Sequence, residues 1–176
     1  MDEAKTNHSG WIREALARYE RPLIAYACRF TGDLETARDV VQDTFLKLCQ
    51  ADAARLNGRL AGWLYTVCRN RALDVSKKNR RSQPLEDGQA EGIASADMGP
   101  SDAAAASETK RLIVETVETL PETQQEVFRL KFEGGLTYRE ISAATGMPLS
   151  TVSYQVHAAM TRVCERLRAC TEAPGA

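Results

Sequence analysis

The 176-residue chain is 43% hydrophobic and 27% charged, proportions of a soluble globular protein with room for one ordinary domain or two small ones. No apolar run approaches the ~20 residues of a membrane helix, and the polar start at 1–10 reads as neither a secretory signal nor an anchor, so no membrane insertion is expected and a cytoplasmic location is. The net charge of −1 hides an asymmetry: 1–81 holds 15 Lys and Arg against 10 Asp and Glu, 82–107 holds five acids and no base, and 108–176 holds 8 bases against 9 acids. Such a distribution says more about partners than the average does.

Apolar residues recur at helical spacing and no stretch alternates as a strand does, so an all-α protein is expected. After a disordered tail at 1–10, Ile12, Leu16, Tyr19, Leu23, Ala27 and Phe30 form the stripe of a first helix, which Pro22 should kink or restart near Arg21. Gly32 suits a left-handed cap, and Asp33 suits the N-cap of a second helix with Glu35 in its positive first turn. That helix carries Leu34, Ala37, Val41, Phe45 and Leu48 on one side and a polar ridge of Asp39, Gln42 and Asp43 on the other. Residues 51–62 read as a loop with a short helical turn, broken at Asn57-Gly58. A third helix at 61–78 is anchored by Trp63, Leu64, Val67 and Val75, with Lys77, Lys78, Arg80 and Arg81 crowding its negative end.

The stretch 82–107, rich in Gly, Ala, Ser, Asp and Pro, reads as a flexible acidic linker between two small helical domains, 11–81 and 108–170, with a tail at 171–176. As a random coil of ~25 residues it would span roughly 25–30 Å. The second domain opens with a helix at 108–120 carrying Leu112, Val114 and Val117. Pro121 then suits the first position of a helix with Val127, Phe128, Leu130 and Phe132, which Gly134-Gly135 ends. Thr137-Tyr138-Arg139-Glu140 is a capping box that opens a short helix with Ile141 and Ala144 inside, closed by Gly146. A longer helix follows, burying Val152, Val156, Ala159, Val163 and Leu167. A short capped helix, a tight glycine turn and a longer helix make a helix-turn-helix.

No Ser/His/Asp set, phosphate-cradling glycine loop or H-E-x-x-H run is present, so the reading is non-enzymatic, with no catalytic residue and no cofactor. The five cysteines are scattered and never paired as C-x-x-C. Most occupy apolar helical positions as small hydrophobes, and with only His8 and His157 beside them no metal site is expected. The second helix of the helix-turn-helix would enter the major groove with Ser150, Thr151, Ser153, Tyr154, His157, Ala158 and Thr161 outward. A plain helical bundle shares that spacing, and 148–161 has no Lys or Arg to meet phosphates. Arg69, Arg71, Lys77, Lys78, Arg80 and Arg81 could follow a nucleic-acid backbone, although a solvated helix end has the same composition.

Taken in order, several motifs resemble the extracytoplasmic-function (ECF) group of sigma factors from about Trp11 to Leu167, the linker excepted. In the first domain they are Thr31-Gly32-Asp33, Ala37-Arg38-Asp39-Val40-Val41-Gln42-Asp43-Thr44-Phe45-Leu46, Trp63-Leu64-Tyr65 and Arg69-Asn70-Arg71-Ala72-Leu73-Asp74. In the second they are Leu120-Pro121, Val127-Phe128, Glu133-Gly134-Gly135-Leu136-Thr137-Tyr138, Glu140-Ile141 and Thr151-Val152. The resemblance implies a sigma region 2 bundle and a sigma region 4 helix-turn-helix, working as a subunit of RNA polymerase in promoter recognition. It implies that Asp39, Gln42, Asp43 and Leu46 dock on the clamp helices of core RNA polymerase. Asn57, Arg59, Val67, Arg69, Asn70, Arg71, Lys77 and Lys78 would meet the minus-ten element of promoter DNA, where an unpaired base held in a protein pocket keeps the strands apart. Tyr138, Arg139, Ser150, Thr151, Ser153, Tyr154, His157 and Thr161 would meet the minus-thirty-five duplex. An anti-sigma factor is a further expected partner. The chain departs from the family where basic residues are common, at Ser153, Gln155 and Ala158. The alternatives are a stand-alone helix-turn-helix regulator that binds an operator without polymerase, and a protein-interaction bundle that never touches DNA.

Overall fold

In a computed structural model that describes residues 2–56, 58–82 and 103–172, the chain forms eight α-helices, with no strand among those residues. They are α1 (Asp2–Thr31), α2 (Leu34–Gln50), α3 (Ala53–Leu56), α4 (Leu60–Ser82), α5 (Ala103–Glu118), α6 (Glu122–Phe132), α7 (Tyr138–Thr145) and α8 (Leu149–Glu172). The chain divides into two compact units, the first built on α1 to α4 and the second on α5 to α8.

In the first unit α1 packs on α2 and α4, and α2 packs on α4. Leu23, Tyr26 and Ala27 of α1, Val40, Thr44 and Leu48 of α2, and Leu64, Cys68 and Ala72 of α4 form its buried centre. Thr44 donates its hydroxyl to Val40 O of its own helix at 2.8 Å, which removes the cost of burying it. Gly32 adopts φ +80°, the left-handed cap that ends α1. Asp33 then accepts the Thr36 amide at 2.7 Å as N-cap of α2.

Several boundaries differ from the sequence reading. The expected tail at 1–10 continues α1, because no proline interrupts a run containing Ala4 and Lys5, both good helix formers. α1 also passes through Pro22 without a restart. Pro removes one backbone bond there, and the burial of Leu23, Tyr26 and Ala27 just beyond it secures the helix. The expected linker at 82–107 starts inside α4 and ends inside α5; its middle, 83–102, lies outside the described residues. The run Ala103–Ala106, counted as linker by composition, has the highest helix propensity of any residue type and extends α5 backward. At the other end, α8 reaches into the expected tail as far as Glu172.

In the second unit α8 packs on α5 and α6. Val117, Leu120, Phe128, Ala159 and Val163 form one buried cluster, with Ile113, Met160 and Leu167 against it. Pro121 is the N-cap of α6 rather than its first residue, and its carbonyl accepts the amides of Gln124 and Gln125. Leu16, Leu34, Val114 and Phe132, all expected inside, are 38%, 41%, 40% and 49% exposed. Periodicity marks a helix face but not how far a neighbour covers it.

Leu64 is fully buried where α4 meets α1 and α2. Leu64→Ala should therefore destabilise the first unit by about 2–5 kcal/mol, read as a lower urea midpoint for its unfolding. A loss below about 1 kcal/mol would contradict this account of the core.

Candidate polymerase and nucleic-acid interfaces

A helix turns about 100° per residue, so residues 39, 42, 43 and 46 fall on one stripe. On α2, Asp39, Gln42 and Leu46 are exposed and Asp43 is half-buried at the edge. Leu46 is 55% exposed, an apolar side chain set among polar ones on a face that no other element of its unit covers.

On α4 the buried stripe is Leu64, Tyr65, Cys68 and Ala72. By the same rotation Asn70 points directly away from it, Val67, Lys77 and Lys78 lie on the same outer half, and Arg71 leaves the helix on one flank of the stripe. Asn70, Arg71, Lys77 and Lys78 are exposed, and Val67 is half-buried. Arg69 does not share this face: it lies on the α1 side, its guanidinium 5.9 Å from the centre of the Phe30 ring. Phe30 in turn stacks edge-on with Tyr26, and Tyr26 with Tyr65, both pairs at 5.2 Å. On the other flank Arg71 Nε donates to Asp43 Oδ2 at 2.7 Å, tying α4 to α2. Arg59 is exposed in the turn before α4, beside Gly58 at φ +74°, while Asn57 lies outside the described residues.

The second unit contains the helix-turn-helix geometry. Thr137 Oγ1 accepts the Glu140 amide at 3.3 Å, and Glu140 Oε2 accepts the Thr137 amide at 2.8 Å, closing the capping box that starts α7. Gly146, at φ +76°, ends α7, and Ser142 Oγ donates to Met147 O at 2.6 Å across the turn. On α8, Ser150, Ser153, Tyr154, His157 and Thr161 share one exposed face opposite buried Val152, Val156 and Ala159. Tyr154 is 70% exposed at its centre. Thr151 and Ala158 are half-buried at the margin. Of the three positions where basic residues were expected, only Ser153 lies on the exposed face; Gln155 and Ala158 are half-buried.

An open cleft of about 720 Å³ joins the start of α7 to the start of α8, lined by Lys131, Thr137, Tyr138, Arg139, Leu149, Ser150 and Ser153. It brings four expected residues together and adds Lys131, which sequence reasoning missed. Lys131 Nζ sits 5.2 Å from the Tyr138 ring centre and donates to Leu136 O at 3.3 Å. Its signal was present as a base in the last turn of α6, seven residues before Tyr138, but only the turn at Gly135 carries it to the cleft.

Among the described residues no helix is long and apolar enough to cross a membrane, and no group of three or more His, Cys, Asp or Glu could hold a metal ion. A four-helix unit with an exposed polar-apolar ridge on α2, followed by a helix-turn-helix unit, defines a two-module nucleic-acid-binding architecture. The comparisons with known proteins give the family. Residues 15–82 match the model of sigma-70 region 2, and residues 110–163 match sigma-70 region 4. The chain is 29% identical over 135 residues to the ECF RNA polymerase sigma factor RpoE of Cereibacter sphaeroides, covering 76% of this chain and 71% of that one. It is 28% identical over 155 residues to the ECF RNA polymerase sigma factor SigK of Mycobacterium ulcerans, covering 86% and 79%. It is 27% identical over 154 residues to the RNA polymerase sigma factor YlaC of Bacillus subtilis, covering 86% and 89%. The chain belongs to the sigma-70 family of RNA polymerase sigma factors, in its extracytoplasmic-function group.

The cysteines divide by burial. Cys68 is enclosed between α4 and its neighbours, and burial pushes its thiol up to about 12, the Thr44 hydroxyl opposing this only in part. Cys49 and Cys170 are exposed. At pH 8 an aromatic disulfide reagent should label Cys49 and Cys170 in the folded protein and reach Cys68 only after denaturant is added. Because the folded thiol is raised above its ordinary value near 9, the stability it protects is complete below that pH and falls as pH rises toward about 12. Rapid labelling of Cys68 at pH 8 without denaturant would contradict the packing of α4.

Proposed function

We propose that this alternative sigma factor selects promoters for RNA polymerase through three faces, two on the first unit and one on the second. Asp39, Gln42 and Leu46 of α2 form the docking ridge for core polymerase. Val67 and Asn70 of α4, with Lys77 and Lys78 along the backbone path, receive the melted non-template strand of the minus-ten element. Tyr138, Arg139, Ser150, Ser153, Tyr154, His157 and Thr161 meet the minus-thirty-five duplex, with Thr151 at the edge. The observation that carries this reading is the single outer face of α4, where Asn70 projects opposite the buried stripe with bases on either side. An unpaired base seated there keeps the duplex open without ATP.

The chain works as a subunit in the cytoplasm, where the polymerase is, and performs no catalysis of its own. Phosphate attraction in the second unit comes from outside the recognition helix, from Lys131 and Arg139 at the cleft and from the positive N-terminal end of α8. An anti-sigma factor would silence the protein by covering the α2 ridge, whose exposed Leu46 offers it an apolar anchor.

Run-off transcription with purified core polymerase on a genomic fragment library tests the reading. Wild type should yield discrete transcripts, and a chain with Asp39→Ala, Gln42→Ala and Leu46→Ala should yield none. Wild type that yields none, yet binds an operator selectively without polymerase, would make the protein a stand-alone regulator. On a promoter found this way, Lys131→Ala should reduce the slope of log affinity against log salt by about one unit.

A further inference from the structure

We propose that the Asp43–Arg71 ion pair is a positioning contact that sets the rotation of α4 and so couples the docking ridge to the strand-capture face. This rests on the function proposed above and gives Asp43 and Arg71, which spacing alone puts on the docking and strand-capture faces, a positioning role instead. Asp43 falls on the same stripe of α2 as Asp39 and Gln42, and from spacing alone it belongs to the docking ridge. Its carboxylate is instead turned along the α2–α4 seam, where Oδ2 accepts Arg71 Nε at 2.7 Å.

The geometry of α4 shows what the pair controls. Leu64, Tyr65, Cys68 and Ala72 face inward, and Arg69 and Arg71 leave the helix on opposite flanks of that stripe. Each arginine is held by a different neighbour: Arg69 over the Phe30 ring of α1, and Arg71 by Asp43 of α2. Asn70 stands between them and points straight out. The two flanking contacts therefore act as stays on either side of Asn70. A rolling of α4 that moved Asn70 sideways would break one contact or the other. Leu64 and Tyr65 fix which side of α4 faces the core, while the small inward residues Cys68 and Ala72, level with Asn70, leave a slight local roll there for the flanking polar and ring contacts to settle.

The pair is half-open to water, with side chains 43% and 39% exposed, so its effect is modest and screened by salt. It acts where α2 meets polymerase, and a shift of α2 on docking would pass directly to Arg71 and α4. Asp43 and Arg71 are in this sense positioning residues, acting through Asn70.

The test uses holoenzyme reconstituted from full chains on a promoter for which the wild type makes transcripts; an inactive wild type would defeat the sigma-factor reading itself. The variants are Asp43→Ala, Arg71→Ala and the exchange Asp43→Arg with Arg71→Asp. Affinity for core is measured by competition with labelled wild type. Strand opening is measured by the fluorescence of 2-aminopurine in the minus-ten element, and folding is checked by circular dichroism. Asp43→Ala should hold its core affinity within about twofold and slow opening by about threefold to fivefold, an effect that fades as salt rises. The exchange should recover most of the lost rate. Three results would overturn the proposal: Asp43→Ala loses core affinity, its opening is unchanged or faster, or the exchange opens no faster than Arg71→Ala. The first would return Asp43 to direct polymerase contact, and the last would make Arg71 a direct DNA contact.

Discussion

Burial of one narrow stripe of α4 against α1 and α2 determines what the first unit can offer a partner. A rigid helix has a single rotational freedom about its axis. Once Leu64, Tyr65, Cys68 and Ala72 are committed to the interior, the position of every outer residue follows. Asn70 must project, Val67 must border it, and Lys77 and Lys78 must continue the same line along the helix. The same packing fixes α2, whose buried Val40, Thr44 and Leu48 leave Asp39, Gln42 and Leu46 outward. The faces proposed for docking and strand capture are thus two outer surfaces of one core, and a change in either helix is felt by the other.

The second unit meets a different demand. Its recognition helix is held by Val152, Val156, Ala159 and Val163 and starts after a turn that Gly146 and the Ser142–Met147 hydrogen bond define. Its outer face carries no Lys, Arg, Asp or Glu from Ser150 to Thr161, so in the proposed role it would read bases through hydroxyls, a phenol and an imidazole more than it would attract phosphates. Attraction moves to the rim, where Lys131 and Arg139 line the cleft beside the start of α8. A helix that orients by contact and a rim that attracts by charge separate specificity from affinity.

Much of this was legible in the sequence because it depends on local chemistry. The Gly32 cap, the Asp33 N-cap, the Thr137–Glu140 capping box and the Gly146 turn are each set by residues within a few positions of one another. The helical fold followed from periodicity, and the order of motifs along the chain pointed to the family. What could not be read depends on neighbours remote in sequence. Arg69 and Arg71 look alike beside Asn70, yet one turns to Phe30 and the other to Asp43, 28 positions away. Lys131 reached the recognition cleft only through the turn at Gly135, and Leu16 and Phe132 were exposed because no helix among the described residues covers them. The ends of α1 and α5 escaped notice for a plainer reason: polar or small residues there were read as coil when their helix propensity was high.

In the proposed function the outer face of α4 holds the non-template strand of the minus-ten element. The most direct measurement places the photo-cross-linker p-benzoylphenylalanine at Asn70 and irradiates the complex of chain, core polymerase and a strand-labelled promoter. A cross-link to the non-template strand within the minus-ten element is expected, formed only when core polymerase is present. A cross-link to the template strand, or a complex that starts transcripts with no cross-link to DNA at all, would contradict it.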